Sequence, residues 1–332
     1  MSPTADAGGG PTVWIDDRYR GAHGIGRYAH EVISRLTIPW HSLGLGGAPS
    51  KPIDSLRRLP QASSRGLIYS PGYGAFLAAN KQILTVHDLI HLKVDWPGRA
   101  KYLAYYNGPV RRTIRRAGVV LTVSETSRHE ILEWLRDDHV DVVVAGIGCS
   151  GAFVPEGPSA AGVDPYVFYV GNLRAHKNLD TVLRAMVGLR GVQLRAVLPE
   201  REIPSLRTRC LELGIDDQVV ALHGLDDDEL AAHYRGAACT VFPSLSEGFG
   251  LPPLESIMCG TPVLYWEGCS AVVETSRGHG QSVSSSHDAD EWAQKMRAEV
   301  TAPTEFTPPV GRYDWARTAG VVEATLTEAL GR

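Results

Sequence analysis

Short apolar runs recur along the chain. Most are closed by a turn carrying Gly, Ser or Asn, and most are followed by a stretch with helical spacing of apolar positions. Runs of this length bounded by turn residues read as buried strands. In the first half they fall at 13–15, 67–69, 82–86, 119–123 and 141–145. In the second half they fall at 166–170, 192–198, 218–223, 238–242 and 261–265. Helical patterns occupy 24–36, 99–116, 124–135, 178–189, 202–213, 226–235, 254–258, 287–299 and 313–330. Strands alternating with helices in both halves predict an α/β protein with parallel sheets.

The punctuation divides the chain. Residues 1–10 read as a disordered tail. Residues 11–155 form a first domain and 165–312 a second. The stretch 146–165, with Gly, Ser and Pro throughout, reads as the linker. Residues 44–66 read as a mobile loop and 278–286 as a further loop. The segment 313–332 reads as a closing helix.

Composition narrows the class. With 332 residues the chain can bury one large core or two ordinary ones. Its 43% hydrophobic and 21% charged content is that of a globular protein. A net charge of −4 argues against a dedicated nucleic-acid binder. No run of 18 apolar residues predicts a membrane span, and the first ten residues lack the basic and apolar regions of a signal peptide, so a cytoplasmic location is expected. The five cysteines have no C-x-x-C spacing and read as reduced thiols. No metal constellation is evident; His87 and His91 are four apart but lack the intervening Glu of a zinc motif.

The chemistry lies at strand ends. Gly24, Gly26 and Ala29 match the G-x-G-x-x-A dinucleotide fingerprint. That motif wants its first Gly directly after the strand and an acid about 20 residues on. Here eight residues intervene and no acid follows at that spacing, so an NAD-dependent oxidoreductase is a minor alternative. Arg174 and Lys177 stand three apart between a strand and a helix. Cations at a helix N-terminus oppose its dipole, so their presence beside free N–H groups points to a diphosphate. The stretch from Ser244 to Ser256 reads SLSEGFGLPPLES. It places Glu247 in a Gly-rich turn and Glu255 about one turn into a helix, where Pro252 and Pro253 suit the first turn. Two carboxylates and an anion cradle suit a sugar nucleotide; a capped turn with two solvated Glu is the bland reading. His87 ends a strand where open α/β sheets bind ligands. Arg111, Arg112, Arg115 and Arg116 fall on one side of a helix, as a solvated helix end or a face for anionic membrane.

The turn at 244–263 resembles the acidic signature of retaining glycosyltransferases with the GT-B fold (family GT4), written SxxEGFGLPxxEAxAxGxPV. This chain supplies Ser244, Glu247, Gly248, Phe249, Gly250, Leu251, Pro252, Glu255, Gly260, Pro262 and Val263. It departs at Ser256 and Met258, where small residues are common. Residues 170–178 resemble the family's VGxLxxxKN element, and 83–89 its V-H-D-like setting. The wording is closest to bacterial mannosyltransferases.

The resemblance implies two Rossmann-like domains facing across a cleft, the first (11–155) on the acceptor side and the second (165–312) binding the nucleotide sugar, with the last helix crossing back to the first domain. It implies transfer of a hexosyl group, mannose from GDP-mannose being the best match, to an acceptor hydroxyl on a glycan, lipid-linked glycan or metabolite. The anomeric configuration would be retained, and neither metal nor cofactor would be needed besides the nucleotide-sugar donor. Arg174 and Lys177 would hold the diphosphate. Glu247 would contact the sugar or steady its oxocarbenium-like centre, and Glu255 would accept from the ribose hydroxyls. His87 would hold an outer sugar hydroxyl. Asp88, Asn178, Leu225, Phe249, Gly250 and Leu251 would line the donor, with Gly24 and Gly26 facing donor phosphate or acceptor. A non-catalytic nucleotide-sugar-binding partner of another transferase is the other alternative. Peripheral contact with the inner membrane surface is a further expectation.

Overall fold

The computed structural model describes residues 12–331 except 22–23, 50–51, 62, 64–65, 161 and 163. The expected tail at 1–10 and parts of the 44–66 loop lie outside the described residues. The chain forms two compact units, one running to Gly148 and taking in Tyr313 onward, the other spanning Cys149–Arg312.

The first unit contains β1 (Val13–Ile15), α1 (Gly24–Ile33), β2 (Trp40–Ser42), β3 (Leu67–Ser70), β4 (Lys81–Leu84), α2 (Ile90–Lys93), α3 (Arg99–Tyr105), α4 (Arg111–Ala117), β5 (Val119–Thr122), α5 (Glu125–Leu135) and β6 (Asp141–Val144). Its parallel sheet runs β2-β1-β3-β4. The parallel pair β5-β6 continues it through a bridge from Thr85 to Leu121, where Val86 N–H donates to the Leu121 carbonyl at 2.8 Å. Val86, Val110, Ile114, Val120, Ile131 and Leu135 close the core on one side. Each such fully buried side chain contributes about 1.5–3 kcal/mol by leaving water.

Two expectations need correction here, and one strand carries no sequence signal. Strand β2, Trp40-His41-Ser42, lacks an apolar run; it is a three-residue edge strand with two exposed positions. The 44–66 loop contains a 3₁₀ turn, Pro52–Leu56. Asp54 of that turn is buried and pairs with Arg18 at 2.6 Å and Arg57 at 2.7 Å, so a charged cluster anchors it. The single helix expected over 99–116 is interrupted by a π turn at Tyr106–Val110 containing Pro109. Proline removes one helical N–H and clashes with the preceding turn, which the wider π turn accommodates.

Three of the four arginines of α4 bond within their own unit. Arg111 donates to the Trp134 and Leu135 carbonyls, Arg115 pairs with Asp137 at 2.8 Å, and Arg116 donates to the Ala79 carbonyl at 3.1 Å.

The second unit contains β7 (Tyr166–Val170), α6 (Leu179–Met186), β8 (Gln193–Val197), α7 (Ile203–Leu213), β9 (Val219–Leu222), α8 (Asp227–Gly236), β10 (Cys239–Phe242), α9 (Leu251–Met258), β11 (Val263–Trp266), α10 (Ser270–Ser276), β12 (Gly280–Val283) and α11 (Ala289–Thr301). The sheet order is β12-β11-β10-β7-β8-β9, all parallel. From β7 the chain winds outward to β9, then returns to β10 and winds the other way. The order therefore reverses between β7 and β10. The turns that follow these two strands share that crevice, where doubly wound sheets bind ligands.

Residues 278–286 are not a loop throughout: β12 pairs with β11 in register from Val263–Gly280 to Trp266–Val283. Its composition, Gly-Gln-Ser-Val, hides it, because a polar edge strand buries only Val283. Much of the expected linker is fastened to this unit. Arg235 donates to the carbonyls of Pro158 at 2.7 Å and Val154 at 3.1 Å, and Arg195 donates to that of Ala160 at 2.6 Å.

The last helix, Trp315–Gly331, belongs to the first unit. Glu323 accepts from Thr37 N–H at 2.6 Å and from the Thr37 hydroxyl, and Lys81 Nζ donates to the Ala329 carbonyl at 2.7 Å.

Candidate functional site

Strand β7 ends in a turn, Gly171 to Asn178, that sets two cations at the crevice. The Asn172 side chain accepts the Arg174 N–H at 3.1 Å, and Leu173 N–H donates to Glu202 at 2.7 Å. A 3₁₀ turn, Ala175–Lys177, leads to Asn178, whose left-handed backbone (φ 51°) breaks the turn from α6. Asn tolerates that conformation better than most residues. The Asn178 amide donates to the carbonyls of Ser286 at 2.7 Å and Pro243 at 3.3 Å, and its oxygen accepts from Thr181 at 2.9 Å. Asn178 thus ties the ends of three elements together, a structural role that no motif announces.

Strand β10 delivers the acidic turn. Leu245 N–H donates to the His176 carbonyl at 2.7 Å and registers this turn on the first. Lys177 Nζ then meets Glu247 Oε1 at 2.6 Å, with side-chain exposures of 15% and 11%, and lies 5.3 Å over the Phe242 ring. Two motifs seventy residues apart in sequence form one charged pair. Arg174 is exposed three residues earlier. The backbone of Phe249 is held by the Thr275 hydroxyl at 3.0 Å. Gly250 caps α9 with φ 94°, and Leu251 is the first helical residue. Pro252 and Pro253 supply no N–H, so any donors this helix start offers an anion come from the residues before them.

Glu255 sits on the inner side of α9, only 5% exposed, and accepts from the Tyr234 hydroxyl at 3.0 Å. Burial and the Glu255 carboxylate both push the Tyr234 phenol well up, so it remains the donor. Leu225 is half-buried in the turn between β9 and α8. Cys269 reaches the same neighbourhood. Burial, then Glu247, push its thiol to about 12, so it stays protonated. Neither Tyr234 nor Cys269 is predicted from sequence, because each reaches the site from a separate helical segment and no spacing announces it.

In the first unit, His87 and Asp88 follow β4. The Pro71 carbonyl lies 2.9 Å from His87 Nε2. A carbonyl only accepts, so Nε2 carries the proton and Nδ1 is left as an acceptor. The ring stands edge-on to Tyr28 with centroids 4.7 Å apart. Burial holds the His87 pKa below 6.5, against the opposing pull of Pro71 and Asp88. Burial alone would raise the Asp88 carboxyl, but His91 beside it and the Ile90 N–H at 2.9 Å outweigh that and hold it low. Gly24 opens α1 with φ 56°. Gly26 allows a close approach of two backbones, since a Cβ there would stand 2.6 Å from the Arg20 carbonyl carbon. Among the described residues, no group of three or more His, Cys, Asp or Glu could hold a metal ion, and no helix is long and apolar enough to cross a membrane.

Residues 156–303 match the family described as glycosyl transferases group 1. The chain is 25% identical over 282 residues to the O-antigen chain mannosyltransferase RfbU of Salmonella typhimurium, covering 83% of this chain and 77% of that one. It is 22% identical over 313 residues to the O-antigen chain mannosyltransferase B of Escherichia coli, covering 73% and 78%. Sucrose-phosphate synthase of Thermosynechococcus elongatus shares the fold, with a TM-score of 0.66 at 18% identity over 97% of this chain and 95% of that one.

Proposed function

We propose that this chain, which has the GT-B fold and carries the glycosyl transferases group 1 match in its second unit, moves a hexosyl group from a nucleoside diphosphate sugar to an acceptor hydroxyl with retention at the anomeric carbon. The mannosyltransferase relatives favour mannose from GDP-mannose. The observation that carries the reading is the Lys177–Glu247 pair at the strand-order reversal. A cation suited to phosphate and a carboxylate suited to sugar hydroxyls already touch there.

Bond cleavage at the anomeric carbon builds negative charge on the departing diphosphate and positive charge on the ring. Lys177 and Arg174 stabilise the first, and preorganised charge of this kind is usually the largest catalytic contribution. Glu247 faces the ring, and the N–H groups of Phe249, Gly250 and Leu251 serve sugar and phosphate. Glu255, oriented by Tyr234, takes the ribose hydroxyls, and Leu225 contacts the base. His87 Nδ1 accepts from an outer hydroxyl of the sugar. The acceptor proton passes to the leaving phosphate.

Thermal unfolding against GDP, UDP, dTDP, ADP and NAD tests this. A nucleotide at 100 times its dissociation constant adds about 2.7 kcal/mol. One nucleoside diphosphate should raise the midpoint, and Lys177→Ala should abolish the rise. A rise with NAD alone would sink the proposal.

A further inference from the structure

The sheet edges of this chain are guarded unequally. On strand β6, Arg128 Nε donates to the Val142 carbonyl, which points away from β5, at 3.2 Å. Strand β12, at one edge of the second sheet, is polar in composition. Strand β9, at the other edge, reads Val219-Val-Ala-Leu222 and carries no Lys, Pro or acid. Such residues are the usual means of keeping a sheet edge from pairing with another chain. Every other strand of this sheet buries at least one residue, and β9 buries none. Val220 is 37% exposed, and Leu211, on the helix α7 that leads into the strand, is 65% exposed.

The hydrogen bonds fix which groups β9 presents. Leu194 N–H donates to the Gln218 carbonyl and Leu198 N–H to the Leu222 carbonyl, both at 2.9 Å. Gln218, Val220 and Leu222 therefore turn their backbone groups towards β8. Alternation turns the N–H and C=O of Val219 and Ala221 outward, and among the described residues no strand pairs with that side.

A second copy of β9 meets each of these features. When two copies run antiparallel about a two-fold axis through Val220, Val219 of each chain stands opposite Ala221 of the other. Both residues present outward groups, so each such pair exchanges both of its hydrogen bonds. Val220 then faces Val220 at the non-bonded position, where side chains approach most closely. Beyond the strand, the same register sets Asp217 of one chain against His223 of the other, at both ends of the seam. Both residues are exposed, and a carboxylate opposite an imidazole favours this pairing over a shifted one. We propose that β9 is the seam of a symmetric dimer in which the six-stranded sheets of two copies join into one. The strands of the two copies run in opposite directions, so their crevices open towards opposite ends of the joined sheet. The seam uses none of the donor residues and does not depend on the transferase reading.

Sedimentation velocity of the full chain across a range of concentrations tests it. The chain should behave as a monomer–dimer mixture whose dimer share rises with concentration. Val220→Lys sets like charges against each other and should raise the dissociation constant tenfold or more. Ala221→Pro removes only an outward N–H, which an edge strand tolerates, and should act likewise. Val220 is exposed, so Val220→Lys should fold, with an unfolding midpoint at low concentration like that of the native chain. Mild oxidation should link Val220→Cys into a covalent dimer, since facing Cα atoms at this position stand about 4.5 Å apart. His223→Cys, which faces Asp217 rather than itself, should not link above the native background. A monomer at every concentration, or a dimer that Val220→Lys and Ala221→Pro leave as tight as before, would overturn the seam. Equal linking of the two cysteine variants would overturn the register.

Discussion

Lys177 and Glu247 are each an ordinary charged residue in a turn until the sheet brings them to 2.6 Å. Their identity was legible as two motifs, whereas their contact was not, because it depends on β7 and β10 being neighbours. Glu255 shows the opposite limit. Its spacing from Glu247 was readable, but its depth and its bond to Tyr234 follow from packing that no local pattern reports. His87 yields a pH prediction. Its folded pKa lies below 6.5, so the unfolded chain binds the extra proton first. His87 therefore costs no stability above that pH and costs increasingly more as pH falls below it. Protonation also turns Nδ1 from acceptor to donor. The donor KM should be flat above about pH 6.5 and rise below it, and His87→Asn should flatten the profile. An unchanged acid limb in His87→Asn would refute the role.

At the scale of elements, the strands with apolar runs were legible and the polar ones were not. β2 and β12 lie at sheet edges, where one neighbour suffices and polar side chains are tolerated, so the alternation signal is lost. Helix 99–116 was misjudged for a different reason: Pro109 is compatible with a helical count but not with an unbroken α-helix. Asn178 joins the ends of β7, β10 and β12. Replacing it with Ala removes two hydrogen bonds to carbonyls and places a less tolerant residue at φ 51°. The expected cost is about 2–3 kcal/mol. That corresponds to a drop in midpoint of roughly 5 °C or more in differential scanning calorimetry. A drop under a degree would show that the turn is held by other means.

At the scale of the whole molecule, the α/β class and the return of the last helix to the first unit were legible, the latter through family resemblance alone. Thr37 and Glu323 are 286 residues apart, and nothing in either segment signals the other. Burial opposes ionisation of Glu323, but the Thr37 and Ile38 donors win and hold its pKa below 4.5. This carboxylate stabilises the fold above that pH, and its contribution fades as pH falls through the folded value. Glu323→Gln should make the hydrogen exchange of 315–331 faster at neutral pH and less dependent on acidification; identical exchange in both proteins would contradict the account.

The central claim concerns the bond broken and the face from which it is replaced. The most direct measurement is proton NMR of the sugar first released when the protein acts on GDP-α-mannose with water as acceptor. The account predicts that α-mannose appears before mutarotation and that release stops in Lys177→Ala and Glu247→Ala. β-Mannose appearing first, or release undiminished in both variants, would contradict it.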